Sequence, residues 1–250
     1  MVQAPQRAAV SGPSLVRLLA RLTAVDVPAS SQSLSDQLSQ WLGWTDAIAL
    51  STALNGNPPA VAGGSRLHGS ADSECAQVRA SLARAIAGDN ASASARRRGS
   101  VPLSAQSEPT EPVPDYADFR QRYLAMQQSM ETAIGNLRGR LRSMLAAKTP
   151  EMTRLAVVDA IMERALGARE HNVLAAVPGM LGTHFERLRQ AEQDALHKLA
   201  DTHAPEGAKA AVKPGAWLDV FRKDMQGVLL AELEIRFQPV EGLLAALRIS

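Results

Sequence analysis

The sequence predicts an all-α protein, and three observations carry that reading. Between Tyr116 and Lys148 the residues Tyr116, Phe119, Tyr123, Met126, Met130, Ala133/Ile134, Leu137, Leu141 and Met144/Leu145 recur in steps of three and four. Those steps place one apolar stripe along a helix of 3.6 residues per turn, and similar stripes follow it. Nothing between the candidate elements alternates apolar and polar side chains as a half-buried strand would. Leu and Ala carry the apolar content, while aromatics are only 4%. That balance favours helix, since strands draw on β-branched and aromatic side chains.

Taken in order, residues 1–12 read as a flexible tail. From Pro13 to Val25, Leu15, Leu18, Leu19 and Leu22 form a short amphipathic helix with Arg17 and Arg21 opposite, ended by Pro28. Ser33 can cap a second helix with Leu34, Leu38, Trp41, Leu42 and Ile48 inward, interrupted by Gly43, which either bends it or lets another helix approach closely. Asn55-Gly56-Asn57-Pro58-Pro59 stops it, and a Gly/Ser/Ala break follows to about Ser70. A third short helix is expected over Ala71–Ala87, with Cys75, Val78, Leu82 and Ile86 on one face and Gly88-Asp89-Asn90 closing it. Residues 88–114, rich in Ala, Ser, Arg, Pro and Glu, lack a repeating apolar face and read as a disordered linker.

The long helix then begins, running roughly 50 Å at the usual rise per residue. The four-residue steps Ala133–Leu137–Leu141 are a stutter that relaxes a left-handed supercoil, so a bundle or coiled-coil-like hairpin is expected. Thr149-Pro150-Glu151 starts the next helix, with proline at its first position. Met152, Leu155, Val158, Met162, Ala165/Leu166, Val173 and Val177 are expected inward, up to Pro178. Leu181, Phe185, Leu188, Ala195 and Leu199 define another helix, and residues 202–215 a loop. The last helix presents Trp217/Leu218, Phe221, Met225, Val228/Leu229, Leu233 and Phe237, with a kink at Pro239 before Leu243, Leu244 and Leu247. The expected architecture is an antiparallel helical bundle over 115–250, preceded by short N-terminal helices over 13–87.

The totals bound the function classes. The formal net charge is +2, with no mandate for nucleic acid. The single cysteine, Cys75, excludes an internal disulfide framework and a cysteine-cluster zinc site. Arg7, Arg17 and Arg21 interrupt every candidate secretory h-region, and no run approaches the ~20 apolar residues of a membrane span. A cytoplasmic protein is expected.

Motifs for chemistry are sparse. His171, His184, His197 and His203 lie in the C-terminal half with Glu170 and Glu186 near two of them, but no His-Glu-x-x-His is present. His184 and His197 miss a shared helical face by about 140°, so solvated or interfacial histidines are expected. There is no Gly-x-Ser-x-Gly elbow, and Gly63-Gly64-Ser65 lacks the ending of a phosphate-binding loop. Glu74 and Asp72 would raise the thiol pKa of Cys75, so a buried, inert thiol is expected. The pairs Glu232/Glu234 and Asp219/Asp224 read as solvated faces. No catalytic residue, cofactor or metal is expected.

Two basic clusters, Arg96-Arg97-Arg98 and the alternating Arg138, Arg140 and Arg142, are the candidate nucleic-acid contacts. Only five of the 27 basic residues are lysine, so arginine richness is also a compositional habit of the chain. Trp41 and Trp44, about 60° apart on a helix, are either core residues or part of a partner-binding surface, where tryptophan is enriched.

The segments Gln40-Trp41-Leu42-Gly43-Trp44-Thr45-Asp46-Ala47-Ile48, Asp118-Phe119-Arg120-Gln121-Arg122-Tyr123 and Trp217 through Leu244 resemble an uncharacterised proteobacterial family of domain-of-unknown-function proteins. The last contains Glu232-Leu233-Glu234-Ile235-Arg236-Phe237-Gln238-Pro239-Val240-Glu241-Gly242-Leu243. The likeness covers most of the chain, with 55–70 and 89–114 as variable gaps, and carries over no activity and no catalytic residue. Members tend to be encoded near an outer-membrane-protein-A-like envelope protein and a membrane-anchored helical protein. The resemblance therefore implies an accessory role in an envelope assembly.

The expected function is a non-enzymatic helical interaction or adaptor protein, accessory to an envelope assembly, whose partner is a membrane-anchored envelope protein or a second copy of the chain. Trp41, Trp44, Phe119, Tyr123, Trp217 and Phe221 are its candidate contacts. A nucleic-acid-associated protein is the alternative, and an enzyme assembled from scattered polar residues the third reading.

Overall fold

The computed structural model describes residues 14–24, 32–56, 68–99, 115–201 and 215–249. The expected tail over 1–12, the linker beyond 99 and the loop over 202–214 lie outside them, as does most of the break near 55–70. Among the described residues the fold is all-α: α1 (Ser14–Thr23), α2 (Leu34–Trp41), α3 (Trp44–Asn55), α4 (His68–Gly99), α5 (Tyr116–Ala146), α6 (Pro150–Leu174), α7 (Val177–Asp201) and α8 (Ala216–Ile249).

The helix starts follow local chemistry. Ser33, Asp115 and Thr149 sit in extended backbone, and their side chains accept from the amides of Asp36, Ala117 and Met152. Each satisfies an amide that an α-helix leaves without an internal partner. Gly43 caps α3, so the expected second helix is two helices with a break at Leu42-Gly43. The break turns Ile48 outward, to 50% exposure, and α3 instead sets Ala49, Leu50 and Ala53 half-buried. The third helix does not close at Gly88 but continues to Gly99, and α8 continues through Pro239 to Ile249.

At the end of α1, Ala24 adopts φ 54°. A left-handed residue commonly follows a helix C-terminus, but alanine is strained there by its Cβ. Ala24→Gly is therefore expected to stabilise the fold by about 1 kcal/mol, read as a rise in thermal midpoint. An unchanged or lowered midpoint would refute it.

The axis of the molecule is α5 against α8. Phe119 meets Phe221, Tyr123 meets Glu232, and Lys148 donates to the Leu247 carbonyl. Both helices therefore run in the same direction. That pairing is possible because α6 and α7 together carry the chain back: α6 is antiparallel to α5, and α7 begins beside Tyr116, whose hydroxyl donates to the Pro178 carbonyl. On the outer side of α8 lie α4 and α1, both antiparallel to it. Arg79 pairs with Glu241 and Arg248 with Asp72, while Ser14 reaches Glu234. The N-terminal helices α1 and α4 thus share one core with the C-terminal bundle.

The long apolar stripe is inward as expected: Tyr123, Met130, Leu137, Leu141 and Leu145 have no exposed surface. One end of the core is an aromatic cluster in which Phe185 contacts Tyr116, Phe119, Trp217 and Phe221 at ring-centroid distances of 4.8–5.8 Å. Gly182 permits this approach, since a Cβ there would lie 2.8 Å from Tyr116 Cε1.

The inward face of α6 differs from expectation. Thr153, Ala156, Ile161 and Leu174 are buried, whereas Leu155 is 38% and Val173 61% exposed. Val177 belongs to α7. The rotation of α6 brings Asp159 and Glu163 against the guanidinium groups of Arg138 and Arg142 on α5, at 2.5–3.2 Å. Long-range charge pairing, absent from any local period, accompanies this choice of face.

Candidate functional site

The centre of the bundle holds a carboxylate. Glu232 on α8 is fully buried, correcting the solvated reading of the Glu232/Glu234 pair. Its Oε2 accepts from the Tyr123 hydroxyl at 2.6 Å, and its two oxygens accept from Gln127 Nε2 at 3.0 and 3.1 Å. Arg236 Nε, one helical turn away, donates to Oε1 at 2.9 Å. Taking a carboxylate out of water is expensive, and these donors are what offset it. The network extends to the cleft described below: Gln127 also donates to the Leu174 carbonyl, and Arg236 Nη1 reaches Glu170 at 3.2 Å. Burial, and next the neighbouring Glu232 charge, push the Tyr123 phenol well above its ordinary range, so it remains a donor.

A second polar cluster ties α7, α8 and α1 together. His184 is buried, correcting its solvated reading, and so is partly the Asp224 that partners it. His184 Nε2 lies 2.8 Å from Asp224 Oδ2, and Nδ1 lies 3.0 Å from Arg187 Nη2. Arginine can only donate, so Nδ1 accepts and Nε2 carries the proton given to Asp224. Arg187 also donates to the Leu22 carbonyl at 2.6 Å, satisfying the end of α1. Both ring nitrogens are engaged, which leaves no open position for a substrate or metal.

The candidate contacts separate by exposure. Phe119, Tyr123 and Phe221 are core residues, at 4% exposure or less, and are not available to a partner. The α5 stripe is covered by the chain's own helices, so no second subunit is required to complete it. Trp217 is half-buried against Phe185. Trp41 is half-buried beneath Arg169, whose guanidinium lies 4.5 Å from the ring centroid. Trp44 is 81% exposed.

Of the guanidinium groups proposed for nucleic acid, the three on α5 are held in ion pairs. Arg138 and Arg142 each bridge to Asp159 and Glu163, and Arg140 pairs with Glu74. Arg96, Arg97 and Arg98 fall within α4, and their side chains lie outside the described residues. Cys75 is buried as expected, and burial, followed by the charges of Glu74 and Asp72, pushes its thiol pKa up. His171 is exposed and 3.8 Å from Glu131. Among the described residues no three His, Cys, Asp or Glu side chains converge to hold a metal ion, and no helix is long and apolar enough to cross a membrane.

A cleft of about 580 Å³ opens beside the Glu232 network. Its floor is Ile134, Gly135 and Arg138 of α5. The side walls are α6, with Met162, Leu166, Gly167 and Leu174, and α8, with Ile235, Arg236 and Pro239; Leu15 and Trp41 contribute from α1 and α2. No local sequence pattern marks this cleft, whose lining comes from five helices. Gln127, a polar residue on the most regular apolar stripe, was the one local signal of the network.

Fold and site together define an all-α bundle with a buried carboxylate network and a mainly apolar cleft. The chain belongs to the family described as protein of unknown function (DUF3348), whose family model matches residues 1–249. No curated protein and no solved structure matches it.

Proposed function

We propose that this protein is a non-enzymatic helical interaction or adaptor protein, acting in the cytoplasm and accessory to a membrane-anchored envelope assembly. The observation that carries the interaction reading is the outer face of α3. Trp44 at 81%, Ile48 at 50% and Leu54 at 54% exposure fall within a sector of about 120°. The opposite side of α3 already packs on α6. A helix apolar on both sides normally has neighbours on both sides, and exposed tryptophan beside aliphatic residues is the composition of interface hot spots. The burial of Glu232 and His184 supports a non-enzymatic role, because their polar atoms are taken up by the chain's own side chains. The envelope setting rests on the family resemblance alone.

The test is crosslinking and co-purification from the native host, with and without nuclease, comparing the natural chain with Trp44→Ala/Ile48→Ala. A membrane-anchored protein that survives nuclease and is reduced at least about tenfold by the double substitution is expected, in keeping with the energy carried by hot-spot residues. Both changes are at the surface, so the thermal midpoint should shift by less than about 2 °C, surface substitutions being nearly neutral. Recovery that collapses with nuclease would move the assignment to nucleic acid. Recovery of the chain alone would refute the adaptor reading.

A further inference from the structure

We propose that the cleft between α5, α6 and α8 is a binding site for an uncharged, mainly apolar small molecule. Its volume of about 580 Å³ lies within the range of small-molecule sites, roughly 300–1,000 Å³. Ile134, Met162, Leu166, Leu174 and Ile235 supply its apolar surface, with the Trp41 ring at one side.

Two features narrow the ligand class. The first is charge. Arg138 is held by Asp159 and Glu163, Arg236 by Glu232 and Glu170, and Arg169 stacks over Trp41. The lining thus holds three guanidinium groups and the four carboxylates of Glu131, Asp159, Glu163 and Glu170, with Glu131 beside His171, a balance of one negative charge when His171 is neutral. An anionic head at Arg138 or Arg236 would have to displace a carboxylate already in place, and a cationic one would find Asp159, Glu163 and Glu170 engaged by arginine. An uncharged ligand meets neither obstacle.

The second feature is the pair of glycines in the lining. Gly135 and Gly167 sit inside α5 and α6, where glycine weakens a helix by about 0.5–1 kcal/mol relative to alanine. A Cβ at either position meets nothing within 4 Å, as is also true of Gly139 outside the cleft, so both have room for a larger side chain. Side chains at these two positions would intrude on the cleft. This inference does not depend on the partner-binding reading of α3, and it is tested on the purified chain alone.

The probe is N-phenyl-1-naphthylamine, an uncharged dye whose emission rises in apolar surroundings, with decanol and decanoate as competitors. Saturable binding at one site is expected, displaced by decanol, with decanoate at least about tenfold weaker because its charge must be desolvated. Gly135→Leu and Gly167→Leu, which fill the cleft from its floor and from one wall, should each weaken the dye at least about tenfold by occupying its space. Neither should lower the thermal midpoint, since leucine is the better helix former. Gly139→Leu, on α5 but outside the cleft, should bind as the natural chain does.

Two filling variants keep the test decisive if one misfolds. Absence of saturable binding, undiminished binding in a folded filling variant, or equal competition by decanoate would each overturn the proposal. A negative result here leaves capture through Trp44 and Ile48 unaffected, so the two readings fail separately.

Discussion

Replacing Arg236 by leucine is expected to lower stability by about 3–5 kcal/mol, the cost of leaving a buried charge without its partner. The side chain is 8% exposed and gives Nε to a fully buried Glu232. With the guanidinium gone, Tyr123 and Gln127 still donate, but neither carries the opposite charge. Urea denaturation reads the loss as a lower midpoint at constant slope. The double variant Glu232→Leu/Arg236→Leu should be more stable than Arg236→Leu alone, because apolar residues often replace a complete buried pair with little loss. A single-variant cost below about 1 kcal/mol, the level of a surface pair, would show that Arg236 does not compensate the Glu232 charge.

Phe221→Ala is expected to cost about 3–5 kcal/mol, the usual range for emptying a buried phenylalanine site. Phe221 has no exposed surface, and its ring lies 5.0–6.2 Å from Tyr116, Phe119, His184 and Phe185. Those neighbours come from α5 and α7, and the aromatic rings of a packed cluster cannot collapse freely into the space left behind. A loss smaller than about 1.5 kcal/mol, typical of volume-conserving swaps, would mean that α7 shifts to refill the site. The same burial explains why Phe221 serves the fold and not a partner.

Exposure at two tryptophans shows where local reading reached its limit. Trp41 and Trp44 stand out in the sequence as either core or interface residues, and helical spacing alone separates them by about 60°. The break at Gly43 ends one helix and caps the next, which leaves Trp41 under Arg169 at the cleft and Trp44 in solvent. Nothing local to Gln40–Ile48 identifies Arg169, which comes from a helix far along the chain. The α6 face was obscured for a similar reason: its apolar residues are spread around the helix, and its charged residues meet arginines of α5.

By itself the sequence determined the helical class, the long stripe from Phe119 to Leu145, the capped start at Ser33, the proline-led start at Thr149-Pro150, and the burial of Cys75. These follow from period, capping chemistry and local charge, which are properties of residues a few positions apart. Only the tertiary structure decided which polar side chains lie inside. Glu232 is tolerable in the core because Tyr123 and Gln127 arrive from 109 and 105 residues away, and His184 because Asp224 and Arg187 meet it at both nitrogens. The cleft is likewise a space between helices, bounded by residues that no local window contains together. A buried charge is stable only when distant donors converge on it, and that convergence is a property of packing, not of sequence period.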